Sequence, residues 1–278
     1  MKPLLDNIKT ILFDLDGTVY QNNDFHRLYL SLLVKDSPYA SWEGRLIALA
    51  DDILADDILS GKGIPMNRFY RAGTGAINSP EDLAKALAAG AADDLTFPEA
   101  YKGPIPKTHF FGDAWALLSL MADTLGMDKE AQDRTFREVR ARMLDGGIAP
   151  NTGLIETLTA LKNRYVTILL SNSPQDTADA FIRKLGLQDA FTHIGYGSGK
   201  PYGLSDCLGR FAPDALENPR TLLSIGDHVF NEIENVRLLG GKTLWICPYR
   251  QINYGGCDLR LYTCDELTDF LRNQALNF

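Results

Sequence analysis

Ile11-Leu12-Phe13-Asp14-Leu15-Asp16-Gly17-Thr18-Val19-Tyr20 is the stretch on which the fold of this chain turns. Three apolar residues run into two carboxylates, a glycine and a threonine. An apolar run of this length ahead of a glycine suits a short buried strand. On an extended backbone, residues two apart lean to the same side, so Asp14 and Asp16 would crowd together at its end. Two such carboxylates repel and lose hydration, and a metal or a reaction is what usually justifies them. Gly17 permits a sharp turn or a close approach to a ligand. An Asp-Gly turn that happens to follow another aspartate is the plain structural alternative.

The sequence around this stretch is that of an ordinary globular protein. Its 278 residues, 45% of them hydrophobic, provide for one or two domains with a sizeable core. A formal net charge of −8 supplies no basic footprint, which argues against a general nucleic-acid binder. An acidic protein can still take a phosphorylated substrate if positive charge is local, from a metal or a few placed side chains. The four cysteines, Cys207, Cys247, Cys257 and Cys264, match no zinc-site spacing and suit idle thiols in a reducing compartment. Charges interrupt residues 1–10, so no secretory signal is read there, and no run of 18 apolar residues exists to span a membrane. The expected setting is cytoplasmic, without membrane association.

Beyond Tyr20 the pattern becomes helical as far as about Leu144. Phe25, Leu28, Leu32 and Leu33 make one stripe ending near Ser37-Pro38. Ile47, Leu49, Ile53, Leu54, Ile58 and Leu59 make another that stops at Gly61, with Asp51, Asp52, Asp56 and Asp57 between them as a solvated face. Ser79-Pro80-Glu81-Asp82 is a helix start, with a capping serine, proline in the first turn and acids at the positive dipole end. Further helices are expected through Trp115–Leu125 and, capped by Asp128, through Phe136–Met143. From about Ile148 strands and helices alternate. Strands are predicted at 165–170, near 191–194, at 221–225 and at 242–246, with helices between them and a closing helix around 265–271. Such alternation predicts an α/β protein built on a doubly wound, parallel, Rossmann-like sheet. The core is then 1–20 and 149–278, and residues 21–148 form an all-helical cap domain inserted after the first strand.

The predicted strands end in polar residues: Asp14 and Asp16, then Ser171-Asn172, then Asp227. In a parallel sheet those ends share one edge, where ligands bind at a topological switch point. Lys200, in a loop with Gly195, Gly197 and Gly199, could reach the same edge. Oxygen donors with several carboxylates suit Mg²⁺ rather than zinc.

Asp14-Leu-Asp16-Gly17-Thr18, Ser171-Asn172, Lys200-Pro201 and Gly226-Asp227 occur in the order and rough spacing of four signature motifs, so the chain resembles the haloacid dehalogenase-like superfamily. The helical insertion falls where that family places its mobile cap, although at about 120 residues it is long for the type. The resemblance implies that Asp14 is the nucleophile that takes up the phosphoryl group. Asp16 is implied as the general acid, then base, with its carbonyl on the metal. Ser171 would hydrogen-bond the transferring group, and Gly17, Thr18, Asn172 and Lys200 would help bind it. Asp227 would complete the Mg²⁺ shell. The fourth motif departs from pattern, because its second acidic position is represented by Asn231 and Glu232. Glu232 is the preferred candidate, either on the metal or orienting Lys200. His228 is expected on a surface loop.

An acid/base residue at Asp16 favours phosphate esters over halide displacement. The expected activity is therefore a Mg²⁺-dependent phosphatase acting on a small phosphorylated metabolite through an aspartyl-phosphate. The alternatives are a phosphosugar mutase on the same site, or a silent binding or regulatory module of the same fold. Phosphonate cleavage would need a cap lysine, for which Lys35, Lys62 and Lys85 are the available side chains. Tyr20, Phe25, His26, Arg27, Arg68, Tyr70 and Arg71 are candidates to face substrate, with Arg68-Phe-Tyr-Arg71 preferred.

Overall fold

A computed structural model of the chain describes residues 4–22, 24–55, 64–249 and 254–273. It divides into two compact units, one made of Met1–Asn22, Leu144–Arg250 and Tyr254–Phe278, the other of Asn23–Met143 with Gln251–Asn253.

The first unit is built on strands β1 (Thr10–Asp14), β4 (Val166–Leu170), β5 (His193–Gly195), β6 (Leu222–Gly226), β7 (Lys242–Ile246) and β8 (Leu259–Leu261); β2 and β3 belong to the other unit. These six form one sheet in the order β5-β4-β1-β6-β7-β8, every neighbouring pair parallel. β1 is central, and its Ile11, Leu12 and Phe13 are fully buried, a gain of about 1.5–3 kcal/mol for each side chain. Leu12 packs on one face with Leu204, Leu208, Ala215 and Val236, from helices Leu204–Phe211, Pro213–Glu217 and Glu234–Leu239. Phe13, one residue on, belongs to the opposite face and meets Phe191 edge-on with ring centroids 5.4 Å apart. The fold class read from the alternating pattern is the one observed.

β8 was not foreseen. Its central Arg260 interrupts the apolar signal, but the guanidinium lies 4.7 Å from the ring centres of both Trp245 and Tyr262, so aromatic faces take the charge.

The second unit consists mainly of helices, among them Phe25–Val34, Glu43–Leu54, Pro80–Ala89, Ala114–Thr124 and Lys129–Arg142. Ser79 caps the third of these, accepting from the Asp82 amide, and Asp128 caps the fifth through the Ala131 amide. Against the all-helical expectation, this unit also carries an antiparallel ribbon of β2 (Arg68–Arg71) and β3 (Thr108–Phe111). Its inner residues Phe69 and Tyr70 are buried, while Arg71 forms a two-pronged pair with Asp94 and Arg68 pairs with Asp93. The basic residues preferred as substrate contacts are thus already neutralised within their own unit. The first helix buries His26, Tyr29, Leu30, Leu33 and Val34, a face rotated from the expected stripe. Asp51, expected to be merely solvated, accepts from His26 and Arg27 at 2.7 and 2.9 Å. The continuation of the second stripe through Ile58 and Leu59 to Gly61 lies outside the described residues, as do Asp56, Asp57 and Lys62.

Candidate active site

β1, β4 and β6 lie side by side, so the residues that follow them emerge on one edge of the sheet. Asp14 is the last residue of β1 and is buried. The chain turns immediately after it. Gly17 has φ +75°, in the left-handed region, and a Cβ there would overlap Asp227 Oδ2. The Asp227 carboxylate thus packs directly on the glycine of the Asp14–Thr18 turn. The Asp227 carbonyl is held from behind by the Trp245 indole N–H at 2.7 Å. Thr18 is fully buried, and its hydroxyl has no hydrogen-bond partner among the described residues.

Lys200 is the centre of the arrangement. Its ammonium group donates to Asp14 Oδ1 at 2.5 Å, to the Leu170 carbonyl at 2.8 Å and to Glu232 Oε1 at 2.8 Å. Three donors meet three acceptors, which is how a buried ammonium is made tolerable. Burial alone would depress its pKa, but the charges of Asp14 and Glu232 outweigh that and raise it, so the lysine stays charged. Burial pushes the Asp14 carboxyl up to about 6, with Asp16 adding to the rise and Lys200 opposing it.

The loops carrying Ser171 and Lys200 are zipped together: the Ser198 amide donates to the Ser171 carbonyl at 3.0 Å, and the Gly197 amide to that of Ser173 at 2.9 Å. Ser171 is buried, and its hydroxyl oxygen accepts from the Ser173 amide at 3.1 Å. Its hydroxyl hydrogen has no acceptor among the described residues and is available to an anion. The Asn172 carboxamide accepts from the Lys200 amide and the Ser198 hydroxyl, and donates to the Lys200 carbonyl. Its side chain is thus engaged with protein groups on the Lys200 loop.

Glu232 is buried, with one oxygen on Lys200 and the other accepting from the His228 amide at 3.2 Å. A Cβ on Gly226 would lie 2.6 Å from Glu232 Cβ and Cγ, so a glycine at the end of β6 is what lets Glu232 pack there. Of the two fourth-motif positions, Glu232 reaches Lys200, and the Asn231 backbone amide donates to His228 Nδ1. His228 is buried rather than on the surface, because it caps this turn. Tyr20, whose ring packs on Phe181 at 5.5 Å, donates its hydroxyl to Asp16 Oδ1. That contact had no signal in the sequence beyond the four-residue spacing.

A sequence model of the haloacid dehalogenase-like hydrolases matches residues 8–234, a span that includes Asp14, Asp16, Ser171, Lys200, Asp227 and Glu232. The chain belongs to that family. No curated protein sequence is a significant match to it. Among solved structures it is similar to that of YfnB from Bacillus subtilis, a HAD-hydrolase assignment with magnesium bound: 18% identity, TM-score 0.51, covering 95% of this chain and 98% of that one. It is similar also to a Thermotoga maritima protein assigned as a beta-phosphoglucomutase (14%, TM-score 0.50, 96% and 99% covered). A third is an L-2-haloacid dehalogenase (13%, TM-score 0.50, 95% and 99% covered). These likenesses establish the fold, and a mutase assignment beside a dehalogenase shows that fold alone does not choose the reaction.

Whether the site of this haloacid dehalogenase-like hydrolase suits Mg²⁺ is a question of donors. Among the described residues no three His, Cys, Asp or Glu side chains form a metal cluster. Mg²⁺ does not need one, since it binds through one or two carboxylates and keeps several waters. Asp14 and Asp227, with the Asp16 carbonyl between them in sequence, are a donor set of that hard, oxygen-only kind. Asp14 and Glu232 share the one ammonium group, Asp16 adds its charge to that of Asp14 and the Asp227 carboxylate packs on Gly17, so a phosphate dianion could enter only with further positive charge. The residues present therefore fit the cation. No helix among the described residues is long and apolar enough to cross a membrane.

Proposed function

We propose that the protein is a Mg²⁺-dependent phosphatase that hydrolyses a small phosphorylated metabolite through an aspartyl-phosphate on Asp14. The observation that carries this reading is the buried Lys200 ammonium shared between Asp14 and Glu232 at the sheet edge, with Asp16 two residues beyond Asp14. Phosphoryl transfer asks chiefly for positioning and charge neutralisation, and this is what the group supplies.

In the first step an Asp14 carboxylate oxygen forms a bond to phosphorus as the ester P–O bond breaks. The departing alkoxide takes a proton from Asp16. Ser171 donates its hydroxyl hydrogen to a phosphoryl oxygen, and Lys200 holds the nucleophile and offsets charge. In the second step Asp16 removes a proton from water, whose oxygen attacks phosphorus. The acyl–phosphate bond then breaks, restoring the Asp14 carboxylate and releasing inorganic phosphate. Bound Mg²⁺, held by Asp14, Asp227 and the Asp16 carbonyl, would neutralise phosphate charge and fix its orientation.

Halide displacement has no leaving-group oxygen to protonate, so Asp16 would be idle in it. A mutase would share the first step and return the phosphoryl group to a sugar phosphate. A panel of phosphate esters with and without Mg²⁺, measuring released phosphate, tests the proposal. Mg²⁺-dependent release supports it; transfer between sugar phosphates without net release would replace it with the mutase, and no turnover by folded protein would refute it.

A further inference from the structure

We infer that Asn172 is a positioning residue, which sets the height of the Lys200 ammonium at Asp14 by gripping the lysine backbone from both sides. The inference rests on the phosphatase reading for its consequence in turnover, but not for the grip itself.

Asn172 Oδ1 accepts from the Lys200 amide at 2.7 Å and from the Ser198 hydroxyl at 2.9 Å, while Nδ2 donates to the Lys200 carbonyl at 2.9 Å. One planar carboxamide thus holds both peptide groups flanking the Lys200 Cα. A side chain with an acceptor alone or a donor alone could not do so. Asn235 adds a second hold by donating to the Pro201 carbonyl at 2.9 Å. The loop needs such holds. Gly197 and Gly199, with φ of +52° and +63°, bracket Ser198 just before the lysine and give the backbone freedom there.

The lysine side chain is saturated at its tip by Asp14, Leu170 and Glu232. The side chain is 1% exposed, so a shift of its Cα is passed to a tip already held by three partners. Asn172 follows Ser171, the donor proposed for the phosphoryl group, so one short segment after β4 positions both the phosphate ligand and the cation opposite. A misplacement of ~1 Å in a catalytic group can cost about 10²-fold in rate.

The test uses the full chain with Mg²⁺ and p-nitrophenyl phosphate. Asn172→Ala is expected to lower kcat at least tenfold while KM stays within about twofold. Against a Lys200→Met background the same substitution should change kcat by less than twofold, since Asn172 acts through the lysine. Equal losses in both backgrounds would overturn the inference in favour of a direct role, as would a loss confined to KM. Amide exchange, measured by NMR, gives a reading independent of turnover. The Lys200 amide should exchange at least tenfold faster in Asn172→Ala than in the wild type, and an unchanged rate overturns the grip. Faster exchange in Asn172→Ala, together with a wild-type protein that hydrolyses no ester, would leave the grip standing and remove the phosphatase reading. Should Asn172→Ala fail to fold, Asn172→Asp serves in the same comparisons; it keeps the accepted bonds and turns the donated one into repulsion.

Discussion

Lys200 Nζ and Asp14 Oδ1 lie 2.5 Å apart although 186 residues separate them in sequence. The pair exists because β1 and β4 are neighbours and the loop after β5 folds back onto the end of β4. It joins the last residue of the central strand to a loop that could otherwise drift, so one contact couples the nucleophile candidate to the architecture of the sheet.

Lys200→Met should therefore cost stability as well as turnover. Asp14 and Glu232 would be left as two buried carboxylates without their shared cation, and losing one partner of a buried pair costs about 3–5 kcal/mol. Urea unfolding gives that difference directly. Lys200→Arg should not restore activity, because the three acceptors surround a compact ammonium and a planar guanidinium cannot meet them in the same directions.

Asp14→Asn should abolish turnover and leave the fold intact, as the amide is isosteric but cannot attack phosphorus. Asp16→Asn should be selective. Loss of a general acid is worth about 10²–10⁴-fold where the leaving group needs a proton. An alkyl phosphate should suffer that loss, while p-nitrophenyl phosphate, whose phenolate leaves unaided, should be spared in its first step. Burst kinetics with the aryl ester would show phosphorylation proceeding and the second step stalled. Equal losses for both esters in the first step would remove Asp16 from the acid role.

Glu232→Gln distinguishes a partner of Lys200 from a ligand of the metal. The neutral amide can still accept from the ammonium, so stability should fall by only about 1–3 kcal/mol, with a matching drop in kcat. The Mg²⁺ concentration for half-maximal activity should stay within about twofold of wild type. A large rise in that concentration would return Glu232 to the metal shell.

What could be foreseen from the sequence, and what could not, follows from the range over which each feature is encoded. The central strands announce themselves in runs such as Leu12-Phe13 and Leu222-Leu223, and their polar ends mark the site without any knowledge of side-chain direction. The β2–β3 ribbon escaped because Arg68-Phe69-Tyr70-Arg71 buries two adjacent residues instead of alternating, and its partner strand lies some forty residues away. The first helix was assigned correctly but its buried face was not, since His26 is buried with a carboxylate partner supplied by Asp51 from another helix. Asn172 and Glu232 were candidates by motif position alone, and what each side chain touches was not legible there. Which way a carboxamide or a carboxylate turns is decided by loops that approach from distant parts of the chain, here those bearing Ser198 and His228.

Gly17→Ala is the sharpest probe of the proposed cation. The backbone at this position has φ +75°, which costs an alanine about 1–2 kcal/mol. More specifically, the new methyl group would occupy space now held by the Asp227 carboxylate. Asp227 must then retreat from the Asp14–Thr18 turn, so one carboxylate of the proposed Mg²⁺ donor pair is displaced while Asp14 and Lys200 stay joined. The Mg²⁺ requirement should rise tenfold or more, and excess Mg²⁺ should recover part of the turnover. A Mg²⁺ titration followed by thermal shift reads the same change without substrate: the wild type should gain stability with added Mg²⁺, and the variant should need correspondingly more of it. Equal Mg²⁺ responses in the two proteins would mean that Asp227 does not hold the metal, whatever its position at the edge of the sheet.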